Sequence, residues 1–208
     1  MVQRTRDPAR KQKILRAAAE LLAHNGFHAV SMADIGERAG ITGSAIYRHF
    51  DSKSAILVAL FERIIDDLLE DGRRSVEGAT DLEHALEDLI AGQVDFVVGK
   101  RVLAQVYHNE IQNLPADDQV RLRRKQRLYI EEWVHLLGEL APDRDENVVR
   151  TLAHTAIGAI QSVLFHQVLL PEAALRGLLR DAAHAILRLE SPDGSGTGTR
   201  PATASAGR

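Results

Sequence analysis

Between Ser31 and Lys53, SMADIGERAGITGSAIYRHFDSK, the chain carries two helix starts separated by a glycine stop. Ser31 is a helix N-cap type, and Asp34 three positions on comes close to a capping box. Gly40 suits the left-handed position that ends a helix, because a residue without Cβ takes positive φ at no steric cost. Thr42 is then a natural N-cap for a second helix, Gly43 to Phe50. Two short helices joined at a glycine turn make a helix-turn-helix.

The side chains agree with that reading. Ile35, Ala39, Ile41 and Ile46 face one another across the crossing. Gly36 inside the first helix costs about 1 kcal/mol relative to alanine, which fits close approach of the second helix's backbone. The outward face of the second helix carries Thr42, Ser44, Tyr47, Arg48 and His49, all able to donate hydrogen bonds. Such a helix suits the DNA major groove, about 12 Å wide.

This stretch resembles the DNA-binding head of the TetR (tetracycline repressor) family of bacterial regulators. The resemblance is carried by Gly26-Phe27, Ser31-Met32, Ile35, Ala39-Gly40, Ile46 to Phe50 and Ser52-Lys53, within a run from about Arg10 to Leu60. It implies a DNA-binding head on an all-helical body that doubles into a homodimer and responds to a small-molecule effector. The candidate DNA-binding residues are Ser31, Thr42, Gly43, Ser44, Tyr47, Arg48, His49 and Lys53. Arg48, Ser44 and Thr42 are candidates for base edges or nearby phosphates. Tyr47 and His49 mainly hold the backbone, and Lys53 resembles the family's phosphate-contacting lysine. Gly43 and Ala45 offer little to hydrogen-bond, so specificity leans on Arg48, the N-terminal arm and DNA shape.

The chain has 208 residues, 45% of them hydrophobic but only 4% aromatic. With Ala and Leu dominant, that mix favours helices packed on helices. There is no cysteine, hence no disulfide framework. The N-terminus is charged throughout and no apolar run approaches a membrane span, so a cytoplasmic protein is expected. The net charge of −3 alone argues against a nucleic-acid partner, but its distribution reverses that. Residues 1–53 hold nine Lys and Arg against five Asp and Glu. A basic head on an acidic body is the pattern of a DNA-binding module with a separate partner domain.

The expected fold is all-α, with about nine helices. A head with a basic arm spans 1–53, a helical effector-binding and dimerisation domain spans 54–190, and a Gly/Ser/Thr/Pro-rich disordered tail covers 191–208. The first helix is expected to end at about His24, before Asn25-Gly26. Later helices are expected from Ser52 to about Arg74, from Thr80 or Asp81 to about Val98, and from Arg101 to Asn113. The last three run from Pro115 to about Leu140, from Asp145 to about Leu169, and from Pro171 to about Leu189. The basic run Arg121, Arg123, Arg124, Lys125 and Arg127 reads as a solvated face with local ion pairs. The last two helices carry more apolar surface than one domain's core uses, which points to a four-helix interface with a second copy.

Nine histidines raise the question of metal, but no His/Asp/Glu grouping has the spacing of a closed site. No phosphate loop, nucleophile elbow or paired-carboxylate motif occurs, so neither a cofactor nor an enzyme is expected. A ligand pocket is. Phe96, Tyr107, Glu110, Ile111, Tyr129, Trp133, His154, Gln161 and Phe165 fall on the helices that form the family's central cavity, and several join an apolar body to a polar tip. The resulting reading is a ligand-responsive homodimeric repressor on a near-palindromic operator, its effector lipid-like or an acyl-CoA. The alternatives are an effector-independent regulator or activator, and an all-helical enzyme or ligand carrier.

Overall fold

The computed structural model describes residues 8–188, the side chains at positions 8, 43 and 44 excepted. Of the basic arm expected over residues 1–10, residues 1–7 with Arg4 and Arg6 lie outside the described residues, as does the tail expected over 191–208, while Pro8 to Arg10 open α1. Those described form nine α-helices: α1 (Pro8–Ala29), α2 (Met32–Arg38), α3 (Gly43–Ile46), α4 (Lys53–Gly78), α5 (Leu82–Gly99), α6 (Arg101–Glu110), α7 (Ala116–Leu140), α8 (Glu146–Gln161) and α9 (Glu172–Leu187). Single 3-10 turns follow α6 and α8, at Ile111–Asn113 and Ser162–Leu164. None of these helices is long and apolar enough to cross a membrane.

The punctuation read from the sequence is present as geometry. Ser31 Oγ accepts from the Asp34 N–H at 3.1 Å, and Asp34 Oδ2 accepts from the Ser31 N–H at 2.8 Å. These are the two reciprocal bonds of a capping box. At the other end of α2, the Gly40 N–H reaches Glu37 O and the Ile41 N–H reaches Gly36 O, at 3.0 and 2.9 Å. With Gly40 at φ 68°, this is the double-bonded glycine cap that turns a chain sharply out of a helix. Gly26 is also left-handed, at φ 74°. It breaks α1 where the sequence predicts its end, but one further turn, through Ala29, continues beyond the kink.

Two buried clusters divide the molecule. The first gathers Ile14, Leu22, Ile35, Ile46 and Phe50 with the N-terminal half of α4, Ile56 to Ile65. Val106 on α6, Leu114 just before α7, and Leu122 on α7 belong to it as well, so the packing of the head reaches past residue 53. The second cluster is built by α5, α7, α8 and α9 around Trp133, Ile90, Val94 and Ile160. α4 runs through both. Its C-terminal half lies against α5 and α7.

The body differs from expectation at α8, which stops at Gln161 rather than near Leu169. The carbonyls that would continue the helix are taken by side chains of α6. Arg101 Nη2 donates to Val163 O at 2.7 Å and His166 O at 2.6 Å, and Gln105 Nε2 donates to Leu164 O at 3.1 Å. Val163 and Leu164 stay in the body core, but the apolar run after them leaves it: Phe165 and Leu169 stand 60% and 86% exposed. The basic stretch of α7 meets the acidic face of α4. Arg121 pairs with Glu62 and Asp118, and Lys125 with Asp66.

Candidate functional site

α3 is shorter than the sequence suggests, ending at Ile46. The chain keeps winding in a tighter turn. The Arg48 N–H reaches Ala45 O, and the His49 N–H reaches Ile46 O, at 3.2 and 2.9 Å. Ile46, fully buried, and Phe50, 6% exposed, anchor this turn in the head core. The residues between them are thereby pushed outward. Tyr47 is 56% exposed, Arg48 is exposed, and His49 is half-buried. Arg48 makes no ion pair among the described residues, so its guanidinium is available to a ligand. Thr42 is exposed and its hydroxyl makes no capping bond to α3. Gly43 and Ser44 open α3, but their side chains lie outside those described.

The flanks of this ridge also offer hydrogen-bond donors. Ser31 is exposed, and its oxygen accepts from Asp34 while the hydroxyl proton remains to be donated. The Ser31 backbone N–H, donating to the Asp34 carboxylate, is the first cause that holds that carboxyl below the usual carboxylate range. Lys11 on α1 lies over the Phe50 ring, 5.6 Å from its centroid. Lys53 is arranged differently from a residue reaching freely into solvent. Its ammonium donates to Phe27 O and, at 2.5 Å, to Val30 O, and sits 4.2 Å from the Phe27 ring centroid. It satisfies carbonyls left open at the end of α1, and these two bonds leave one N–H of the ammonium uncommitted.

The body brings together four of the nine residues expected around a ligand. Phe96, Tyr107, Tyr129 and Gln161 line one cavity, with Ile64, Ile65 and Leu68 of α4 forming the opposite wall. Gln93, Gln126, Ile130 and Ile157 complete it. The two glutamines went unread because nothing local distinguishes them from solvated positions. Each accepts a hydrogen bond from a tyrosine: Tyr129 Oη donates to Gln93 Oε1 at 2.8 Å, and Tyr107 Oη to Gln126 Oε1 at 3.2 Å. Burial pushes both phenols up, Tyr107 to about 12 and Tyr129 further. The cavity measures only about 50 Å³, room for a water or two.

The other five expected residues lie elsewhere. Trp133 is fully buried in the body core beside Tyr129, its ring centroid 6.4 Å away, and its indole N–H has no partner among the described residues. His154 is exposed on α8, on the face turned away from the core. Phe165 is carried out of the body by the early end of α8 and stacks edge-on with His108, centroids 4.6 Å apart. Glu110 is 8% exposed, but it faces the head. Its carboxylate accepts from the Phe27 N–H at 3.2 Å and from Asn113 Nδ2 at 2.7 Å. Ile111 packs against the head cluster as well. Among the described residues, no group of three or more His, Asp or Glu is placed to hold a metal ion.

Residues 14–60 match the family model described as bacterial regulatory proteins, tetR family. This span takes in the helix pair, most of α1 and the start of α4. The HTH-type transcriptional repressor KstR2 of Rhodococcus jostii is 28% identical over 160 residues, 73% of this chain and 78% of that protein. A TetR-family transcriptional regulator from Bordetella parapertussis superposes with a TM-score of 0.76 at 22% identity, covering 86% of this chain and 94% of its own. The transcriptional regulator FadR of Bacillus subtilis, in complex with stearoyl-CoA, superposes with a TM-score of 0.71 at 19% identity, covering 86% and 99%.

Proposed function

Because the chain belongs to the tetR family of bacterial regulatory proteins, and is a transcriptional regulator rather than an enzyme, we propose that it is a homodimeric repressor released from its operator by a small apolar effector. The observation that carries this reading is the outward ridge Tyr47-Arg48, held by Ile46 and Phe50 at the end of a helix pair whose first helix is capped. Two such heads reach successive major grooves, about 34–36 Å apart, on a near-palindromic site.

The second copy docks on the outer face of α8 and α9. Thr155 and Gly158 on α8, with Gly177, Leu178 and Ala185 on α9, are exposed on neighbouring helices. A Cβ built on Gly158 or Gly177 meets nothing within 4 Å, so this face accepts close approach of another helix pair.

The effector enters the cavity between α4, α5, α7 and α8. A cavity of about 50 Å³ holds no lipid-sized molecule, so binding has to move a wall. The movable wall is α4, because Ile64, Ile65 and Leu68 face the cavity while Ile56 to Leu60 sit in the head core. An effector that binds the widened form better than the closed one shifts the head by that difference in affinity. Its apolar lining with tyrosine and glutamine tips fits an acyl chain, the class that FadR binds as stearoyl-CoA. Salt-dependent, sequence-selective binding to DNA upstream of its own gene, reversed by long-chain acyl-CoA, tests the reading. Binding that persists at saturating acyl-CoA would leave a regulator without this effector.

A further inference from the structure

A second concavity, separate from the inner cavity, lies where head and body meet. It is an open groove of about 680 Å³ between α1, α4 and the corner joining α5 to α6. That volume lies within the range of small-molecule sites. Its apolar side is supplied by Leu15, Leu60, Val98, Val102 and Leu103.

Four cations border that apolar surface: Arg16 of α1, Arg63 of α4, Lys100 and Arg101 of the corner. Only two carboxylates line the same groove, and neither is free. Glu20 is held by Arg38 at 2.7 Å. Asp67 is shared between Arg63, at 4.0 Å, and Lys100, at 3.8 Å. Arg101 spends Nη2 on the carbonyls of Val163 and His166, which carry no charge to neutralise it. Arg16 makes no ion pair among the described residues. The groove is therefore short of negative charge along an apolar floor.

We propose that this groove binds an amphipathic anion: an alkyl chain lying on the apolar floor, with one carboxylate set between Arg16 and Lys100. Walls from α1 on one side and the α5–α6 corner on the other mean that such a ligand touches head and body at once. Its affinity is thereby linked to their separation. The site is separate from the inner cavity, since none of the residues named here lines that cavity.

The test is calorimetric titration of the full chain with dodecanoate, kept monomeric in solution, against dodecanol as the uncharged control. The proposal expects dodecanoate to bind about tenfold or more tightly than dodecanol, by the loss of a charge-assisted contact. Arg16→Glu and Lys100→Glu, both at exposed positions, should each lose at least that factor, with circular dichroism confirming the fold. Val102→Trp, which fills the groove without altering charge, should weaken binding too. No binding of dodecanoate, equal binding of dodecanol, or an affinity unchanged by Arg16→Glu and Lys100→Glu would overturn the proposal. The last result would place the carboxylate in the inner cavity instead.

Discussion

The Glu110 carboxylate on α6 accepts a hydrogen bond from the backbone N–H of Phe27, 83 positions earlier in the chain. The bond lands one residue after Gly26, whose positive φ breaks α1 and leaves that N–H without a helical acceptor. A Cβ at position 26 would stand 3.8 Å from the same carboxylate oxygen. The body thus reaches into the turn that orients the DNA-binding helices, and α6 and α4 form two struts between the units.

Removing this strut has a distinct signature. Glu110→Ala strands the Phe27 N–H and the Asn113 amide, a loss of about 1–3 kcal/mol for a buried donor. The melting temperature should fall by several degrees. Glu110→Gln keeps one acceptor and should recover most of that loss. Thermal melts of the two variants side by side check this. In effector-release assays, Glu110→Ala should also shrink the ratio of DNA affinities with and without effector.

Lys53 joins the same turn from the other side, through Phe27 O and Val30 O. Lys53→Met should cost about 1–2 kcal/mol of stability. It should weaken binding to all DNA sequences alike, leaving preference intact. Denaturant unfolding together with competition between operator and random duplex separates the two effects.

The outer face of α8 and α9 predicts the oligomeric state. Leu178 is 55% exposed in the single chain. Leu178→Arg should place a charge in the centre of the four-helix contact and convert a dimer to monomer, read by light scattering. DNA affinity should fall with it, because one head alone makes half of the contacts. A dimer that survives the substitution would move the interface elsewhere.

Alkaline titration reports on the inner cavity. The Tyr107 phenol is raised to about 12 by burial, whereas in the unfolded chain it ionises near 10. The neutral form is favoured by folding. Its contribution is complete below about pH 10 and is lost as pH climbs through about 12. Phenolate absorbance should show a step near pH 12 that Tyr107→Phe removes. An effector that holds the cavity open to water should move that step down.

Legibility followed the range of the interactions. The Ser31–Asp34 box, the Gly40 cap and the break at Gly26 are set by residues within a few positions of each other, and each is readable in sequence. The end of α8 is not, because the donors that capture Val163 O and Leu164 O come from Arg101 and Gln105 on another helix. Glu110 shares the face-like spacing of Tyr107 but turns to the head, since its partner is a backbone N–H that only the fold exposes. Gln93 and Gln126 gain their roles solely from the tyrosines opposite them. Lys53 matched a family position, yet its inward contacts depend on where α1 breaks.

The ridge that ends the second short helix bears the central claim, and one comparison tests it most directly. Fluorescence anisotropy of a labelled duplex from upstream of the gene should be titrated with the full chain and with Tyr47→Ala/Arg48→Ala, in competition with random DNA. Both side chains are exposed, so the double variant should fold normally. The account predicts two chains per site and a preference over random duplex that falls by at least about tenfold in the variant, as loss of a bidentate base contact requires. Identical isotherms for the two proteins, or no preference for the upstream duplex in either, would contradict it.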